Sequence, residues 1–210
     1  MKAGSPEKVR KRYDRWSRYY DAVDKFPVLS AGGRERRLAA VRMLNLREGE
    51  VFVDVGCGTG EMIDLALKAG GAPCLAVGTD FSIGMLKRTK GKVSKAEVVA
   101  CDVAALPFPD GSVDKLLASY TLTSVPDVDG CVREMARVLR PSGRLVILDS
   151  KTPDSRAARA LTAPTRAMAK VAGYTFMDRD TLGALKKRFR LLKIARYSGG
   201  LVYIGLFKRG

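Results

Sequence analysis

The sequence predicts an α/β fold: a seven-stranded, mostly parallel sheet covered by helices on both faces and closed by an antiparallel C-terminal hairpin. Three observations carry this expectation. Between residues 50 and 148 short β-rich runs alternate with helical patterns. A glycine-rich turn, Gly56-Cys57-Gly58-Thr59-Gly60, joins the first of these strands to the helix that follows it. Ser198-Gly199-Gly200 separates two further β-rich runs and makes them a hairpin. With 210 residues, 46% hydrophobic and 29% charged, the chain can bury one core and is too apolar to be disordered.

The elements follow in order. From residue 6 to 26, Val9, Tyr13, Trp16, Tyr20 and Val23 recur at steps of four and three, the rhythm of one helix face. Lys8, Lys11, Arg15 and Arg18 keep the same rhythm on another face, so a basic amphipathic helix is expected, ending at Pro27. Leu38, Val41 and Leu44 predict a second helix that stops before Arg47-Glu48-Gly49. Strands are expected at 50–55, 74–78, 97–101, 113–119 and 144–148, with hairpin strands at 191–197 and 201–207. Helices are expected at 61–69, 128–139, 157–172 and 180–187, and Ser82 can cap one that carries Met85 and Leu86. The turn 140–143, Arg-Pro-Ser-Gly, should close the helix before the fifth strand.

Composition narrows the chemistry. Thirty-eight Lys and Arg against 22 Asp and Glu give +16, a surface that attracts nucleic acid, an anionic membrane or an acidic small molecule. The four cysteines, Cys57, Cys74, Cys101 and Cys131, follow no CxxC spacing, and there is no histidine, so no metal site is expected. Catalysis would have to use other side chains or the backbone. No run approaches the roughly 18 apolar residues of a spanning helix, and the basic N-terminal stretch lacks the apolar core of a signal peptide. The expectation is a cytoplasmic protein whose membrane contact, if any, is peripheral and on the inner face.

Gly56, Gly58 and Gly60 let the chain turn tightly and bring backbone N–H groups against a ligand at a helix N-terminus. Their GxGxG spacing differs from the GxGxxG of dinucleotide folds. Asp80, some twenty residues on at the end of the second strand, can accept hydrogen bonds from both hydroxyls of a ribose.

With these residues in view, VDVGCGTG at 53–60 resembles motif I of the class I S-adenosylmethionine-dependent methyltransferases. Further motifs follow in that family's order. They are Asp80-Phe81-Ser82 with Met85-Leu86, then Cys101-Asp102-Val103 with Leu106-Pro107-Phe108, then Arg133-Glu134-Met135 through Val138-Leu139-Arg140-Pro141-Ser142-Gly143. Ser142 stands where the family usually has glycine. The resemblance implies a Rossmann-like fold, S-adenosylmethionine as cofactor, and a binding body over 47–210 preceded by a helical lid or membrane-facing segment over 1–46.

It also implies roles. The backbone of Gly56, Cys57, Gly58 and Gly60 would approach the methionine part of the cofactor, and Asp54 would organise the loop and the amino group. Asp80 would hold the ribose, Asp102 and the N–H of Val103 the adenine, with Phe81 and Met85 packed around the base. Ser119 and Tyr120 follow the fourth strand and would face the reacting centre. Tyr13 and Tyr20 would lie near the methionine end, which makes Tyr120 and Tyr20 the residues expected at the reaction. Ser119-Tyr120-Thr121 is not the N/D-P-P-Y/F sequence used on adenine rings or amide nitrogens.

Two acceptor classes compete, both lipid-like. Tyr13-Asp14-Arg15-Trp16-Ser17 with Tyr20-Asp21, Gly33-Arg34 with Arg36-Arg37, the segment 121–126 and the stretch 163–173 resemble bacterial phosphatidylethanolamine N-methyltransferases, and this amine acceptor is the main expectation. Leu148-Asp149-Ser150-Lys151-Thr152-Pro153 resembles the ubiquinone and menaquinone C-methyltransferases, which gives a prenylated quinol as the alternative. RNA ranks behind both. The aromatic stripe of the first helix suits a headgroup interface or a lid over the cofactor, and both readings stand. Oligomeric state is left open.

Overall fold

The computed structural model describes residues 33–70, 72–171 and 178–210, together with Arg10, Tyr13, Asp14 and Ser17. Its strands are β1 (Val51–Val55), β2 (Leu75–Asp80), β3 (Glu97–Ala100), β4 (Val113–Ser119), β5 (Leu139–Ser150), β6 (Phe189–Tyr197) and β7 (Val202–Arg209). They form one seven-stranded sheet in the order β3-β2-β1-β4-β5-β7-β6. The first five are parallel, and β7 slots antiparallel between β5 and β6. Ser198, Gly199 and Gly200 turn the chain between β6 and β7 at φ +49°, +63° and +89°, so the expected hairpin forms on two glycines that tolerate the left-handed region.

The helices are α1 (Gly33–Leu44), α2 (Glu61–Lys68), α3 (Ile83–Lys92), α4 (Val128–Val138), α5 (Arg156–Leu161), α6 (Ala163–Val171) and α7 (Thr181–Lys186). On one face of the sheet, α1, α2 and α3 bury Leu44, Ile63 and Leu86 against Phe52, Leu117, Val146 and Ile204. On the other, α4 and α7 bury Val132, Met135 and Leu185 against Val53, Leu116, Leu145 and Phe207. Strands apolar on both faces are what a doubly covered parallel sheet demands. α1 lies before the boundary expected at residue 46, yet Ala40, Val41 and Leu44 are part of the core.

Two expected elements differ. The fifth strand begins at Leu139 rather than at residue 144, because Leu139 pairs with Val113 and the 140–143 segment stays extended past a register shift between Val113 and Lys115. The helix expected over 157–172 is two helices. It breaks at Thr162, whose hydroxyl donates back to Ala158 O at 2.6 Å, and Pro164 supplies no N–H at the start of α6. The basic helix expected at 6–26 falls mostly outside the described residues, of which Arg10, Tyr13 and Asp14 are helical.

Candidate active site

β1 runs directly into three glycines at φ +70° (Gly56), +55° (Gly58) and +80° (Gly60), where a side chain would be strained. Two are also hemmed in: a Cβ on Gly56 would lie 2.6 Å from Thr121 Oγ1, and one on Gly60 2.8 Å from Thr89 Cγ2. Gly58 faces open space, and its N–H donates to Asp80 Oδ2 at 3.0 Å. Thr89, on α3, holds the loop from behind, its hydroxyl donating to Gly58 O at 2.8 Å. The result is a bare stretch of backbone beside the N-terminus of α2, the surface on which an anionic or polar ligand can rest.

Asp80 ends β2. One oxygen accepts from Gly58 N–H and the other from Ser82 N–H at 2.9 Å, while burial pushes its carboxyl up to about 6. Each oxygen keeps a lone pair for a ligand hydroxyl. Asp54, 1% exposed, is different: neither of its oxygens has a hydrogen-bond partner, and burial, then Asp80, push it up to about 8. A buried carboxyl without donors is a place where an ammonium group would be welcome.

After β3, Ala104 N–H donates to Asp102 Oδ1 at 2.9 Å, which leaves the other oxygen of Asp102 for a ligand. The loop behind Asp102 is braced by the Arg-Glu motif of α4. Glu134 accepts from Leu106 N–H at 2.9 Å, and Arg137 donates to Leu106 O and Phe108 O, both at 2.8 Å, and to Asp110 at 2.7 Å. That motif is therefore structural: it fixes the segment that carries Asp102 and Val103.

Of the described N-terminal residues, Tyr13 and Asp14 dock at the start of α3. Tyr13 meets Phe81 edge to face at 5.8 Å between ring centroids, and Asp14 Oδ1 accepts from Ser82 Oγ at 2.5 Å and from Gly84 N–H at 3.2 Å. Ser82 in turn caps α3 by accepting from Met85 N–H at 3.2 Å, as expected.

At the end of β4, Tyr120 sits at φ +54°, uncommon for a residue with a side chain. Its N–H donates to Leu148 O at 2.7 Å, and Thr121 Oγ1 donates to Val55 O at 2.9 Å. The following loop is pinned by Asp149, fully buried in β5, which accepts from Thr123 Oγ1 at 2.6 Å, Thr123 N–H at 3.2 Å and Ser150 N–H at 2.8 Å. Burial pushes the Asp149 carboxyl up to about 6.

Tyr13, Gly56, Gly58, Asp80, Phe81, Met85, Asp102, Val103, Ser119 and Tyr120 line one cavity of about 260 Å³. Three expected contact residues do not line it. Asp54 lies in the strand beneath the loop, Gly60 is packed on Thr89, and Cys57 is 7% exposed, its sulfur 3.7 Å from Thr89 Oγ1 and its thiol pushed well up by burial. Tyr20 lies outside the described residues. The walls that sequence reasoning did not assign to the site are Ala104, Ser124, Val125, Pro126, Asp127 and Cys131. Asp127 offered a signal, since it caps α4 by accepting from Gly130 N–H at 2.9 Å.

Residues 53–147 match the family model described as a methyltransferase domain. That stretch therefore carries a methyltransferase domain. The chain is 38% identical over 150 residues to the demethylmenaquinone methyltransferase of Mycolicibacterium gilvum (strain PYR-GCK), covering 71% of this chain and 63% of that protein. It thus spans less than two thirds of that relative's length. In three dimensions it resembles a geranyl diphosphate C-methyltransferase from Streptomyces coelicolor A3(2), with a TM-score of 0.74 at 14% identity over 99% of each chain. It also resembles the cyclase SpnF, with a TM-score of 0.76 at 16% identity over 99% of this chain and 97% of that one. Likeness at such identity concerns the fold, and a cyclase on the same scaffold shows that fold alone does not choose the reaction.

The groups in place fit S-adenosylmethionine. The free lone pairs of Asp80 suit a ribose diol, Asp102 and the backbone of Val103 suit the adenine edge, and the Asp54 carboxyl, beneath the glycine turn and outside the cavity lining, would attract an ammonium resting on that turn through its charge.

Proposed function

We propose that this protein transfers the methyl group of S-adenosylmethionine to a ring carbon of a prenylated quinol. The observation that carries this reading is the 38% identity to a demethylmenaquinone methyltransferase across 71% of the chain. The main expectation from sequence, a phospholipid amine, gives way to the alternative, because the matched relatives are named for a quinone and not for phosphatidylethanolamine.

The chemistry asks chiefly for position. S-adenosylmethionine would supply a methyl group to an acceptor carbon held in line at about 3 to 3.5 Å, and the ring would give up the hydrogen of that carbon as a proton to solvent. Tyr120, Ser124, Val125 and Pro126 offer the ring an aromatic and aliphatic wall, and Tyr13 covers Phe81 on the other side. Tyr120 and, by the same reading, Tyr20 are the residues that would touch the acceptor. Such a quinol resides in a membrane, so the same proposal places the protein on its cytoplasmic face.

The test supplies purified protein with the cofactor and demethylmenaquinol in detergent. The expected products are a quinol one methyl heavier and S-adenosylhomocysteine. If calorimetry shows S-adenosylhomocysteine binding but labelled methyl enters only phosphatidylethanolamine or RNA, the quinol reading is wrong and the cofactor assignment survives.

A further inference from the structure

The end of the sheet opposite the cavity carries a band of cations that the fold leaves mostly without acidic partners among the described residues. Lys115, Arg144, Lys208 and Arg190 are register partners across β4, β5, β7 and β6: Lys115 with Arg144, Arg144 with Lys208, and Lys208 with Arg190. Directly opposed residues share a sheet face with their Cα atoms about 5 Å apart. Four like charges therefore stand abreast over about 15 Å. Among the described residues only Lys115 of the four reaches an acid, Glu50 at 3.4 Å. Even so, burial, then Arg144 and Arg47, hold its ammonium below the ordinary lysine value against the pull of Glu50.

Around the sheet edge a groove runs between α4, α7 and the start of β6, lined by Arg133, Lys186, Lys187, Arg188, Arg190 and Arg209. Its one acidic side chain, Glu134, is taken by Arg137 and Leu106 N–H, while Asp129 pairs with Lys187 at 3.0 Å. No ion pair among the described residues reaches Arg133, Lys186, Arg188 or Arg190.

Like charges directly opposite one another weaken a sheet. Lysine on an edge strand guards against aggregation, but a row that penetrates to the fourth strand exceeds that need. The repulsion is relieved when an anion lies along the row. We propose that this end of the molecule is an RNA-docking surface, with the phosphodiester chain seated in the groove between α4 and β6 and crossing the edge onto Arg190, Lys208 and Arg144, while Lys115, buried with Glu50, lies beyond its reach.

Three observations favour RNA over a lipid surface. A groove seats a chain, whereas a bilayer is flat. Arginine, which supplies most of the cations here, offers paired N–H donors that match phosphate oxygens. A bilayer at this end would also turn the cavity, which opens at the other end of the strands by Gly58, Asp80 and Ser119, away from the lipid. The docked chain does not enter the cavity, so it is a partner and not the methyl acceptor, whatever that acceptor is.

Fluorescence anisotropy with a labelled single-stranded RNA of about 20 nucleotides tests this. Four or more neutralised phosphates should cost about 50-fold in affinity between roughly 50 and 200 mM salt. The triple variant Arg188→Glu, Arg190→Glu, Lys208→Glu should lose at least about 30-fold, against less than about threefold for Lys87→Glu, Lys95→Glu, Arg156→Glu, which reverses three exposed cations elsewhere. Both variants should keep the wild-type affinity for S-adenosylhomocysteine. Equal losses in the two variants would reduce the effect to net charge and overturn the proposal, as would absence of RNA binding or a loss of anionic-vesicle binding by the Arg188→Glu, Arg190→Glu, Lys208→Glu variant as large as its loss of RNA binding. Lys208→Glu alone sets an acid between Arg144 and Arg190, so it should raise the melting temperature while weakening RNA binding. A lower melting temperature would contradict the repulsive row.

Discussion

Asp54 brings a carboxyl into the core with no donor for either oxygen. Folded, it ionises near pH 8, whereas an exposed aspartate does so near 4. Between those values the folded state holds the extra proton, so its contribution to stability is complete below about 4 and is lost as pH rises through about 8. Asp80 and Asp149, both pushed up to about 6, add to the same trend. Thermal melts from about pH 6 to about pH 9 should therefore show Asp54→Asn gaining on the wild type as pH rises. An ammonium beside Asp54 favours its ionised form, so S-adenosylhomocysteine should bind more tightly as pH approaches about 8 and release a proton on binding. Calorimetry in buffers of different ionisation heat counts that proton, and it should vanish in Asp54→Asn.

At the scale of elements, the site depends on braces that reach far along the chain. Arg137 on α4 holds Leu106, Phe108 and Asp110 and so fixes the turn after β3. Arg137→Ala should cost about 1–3 kcal/mol in urea denaturation and also weaken S-adenosylhomocysteine binding, although the guanidinium lies outside the cavity. Unchanged ligand affinity would mean that the turn holds itself.

The same distances explain what could be read beforehand. The glycine turn, Asp80 as a strand end and Ser82 as a cap were legible because each works within a few residues of its own backbone. Asp14 on Ser82, Thr89 on Gly58 and Asp149 on Thr123 join residues 68, 31 and 26 positions apart, and no local pattern announces them. The early start of β5 was hidden for the same reason, since Leu139 becomes a strand residue only through its pairing with Val113. The break at Thr162 was hidden by an otherwise helical composition.

For the whole molecule, α1 is as much core as the strands. Leu44 is fully buried among residues from α2, β1 and β5, so Leu44→Ala should destabilise by about 2–5 kcal/mol, measured by urea denaturation. A loss below about 0.5 kcal/mol would show that α1 can detach without cost to the body.

Tyr120 works against the stability that such packing supplies. A residue with a Cβ at φ +54° costs the fold about 1–3 kcal/mol, a cost that glycine avoids. Once the ring is removed, Tyr120→Gly should therefore outlast Tyr120→Ala in melting temperature, the reverse of the order found in ordinary strands and helices. A protein that keeps a phenol on backbone where only glycine rests without strain gives up part of its heat resistance to hold that side chain at the mouth of its cavity.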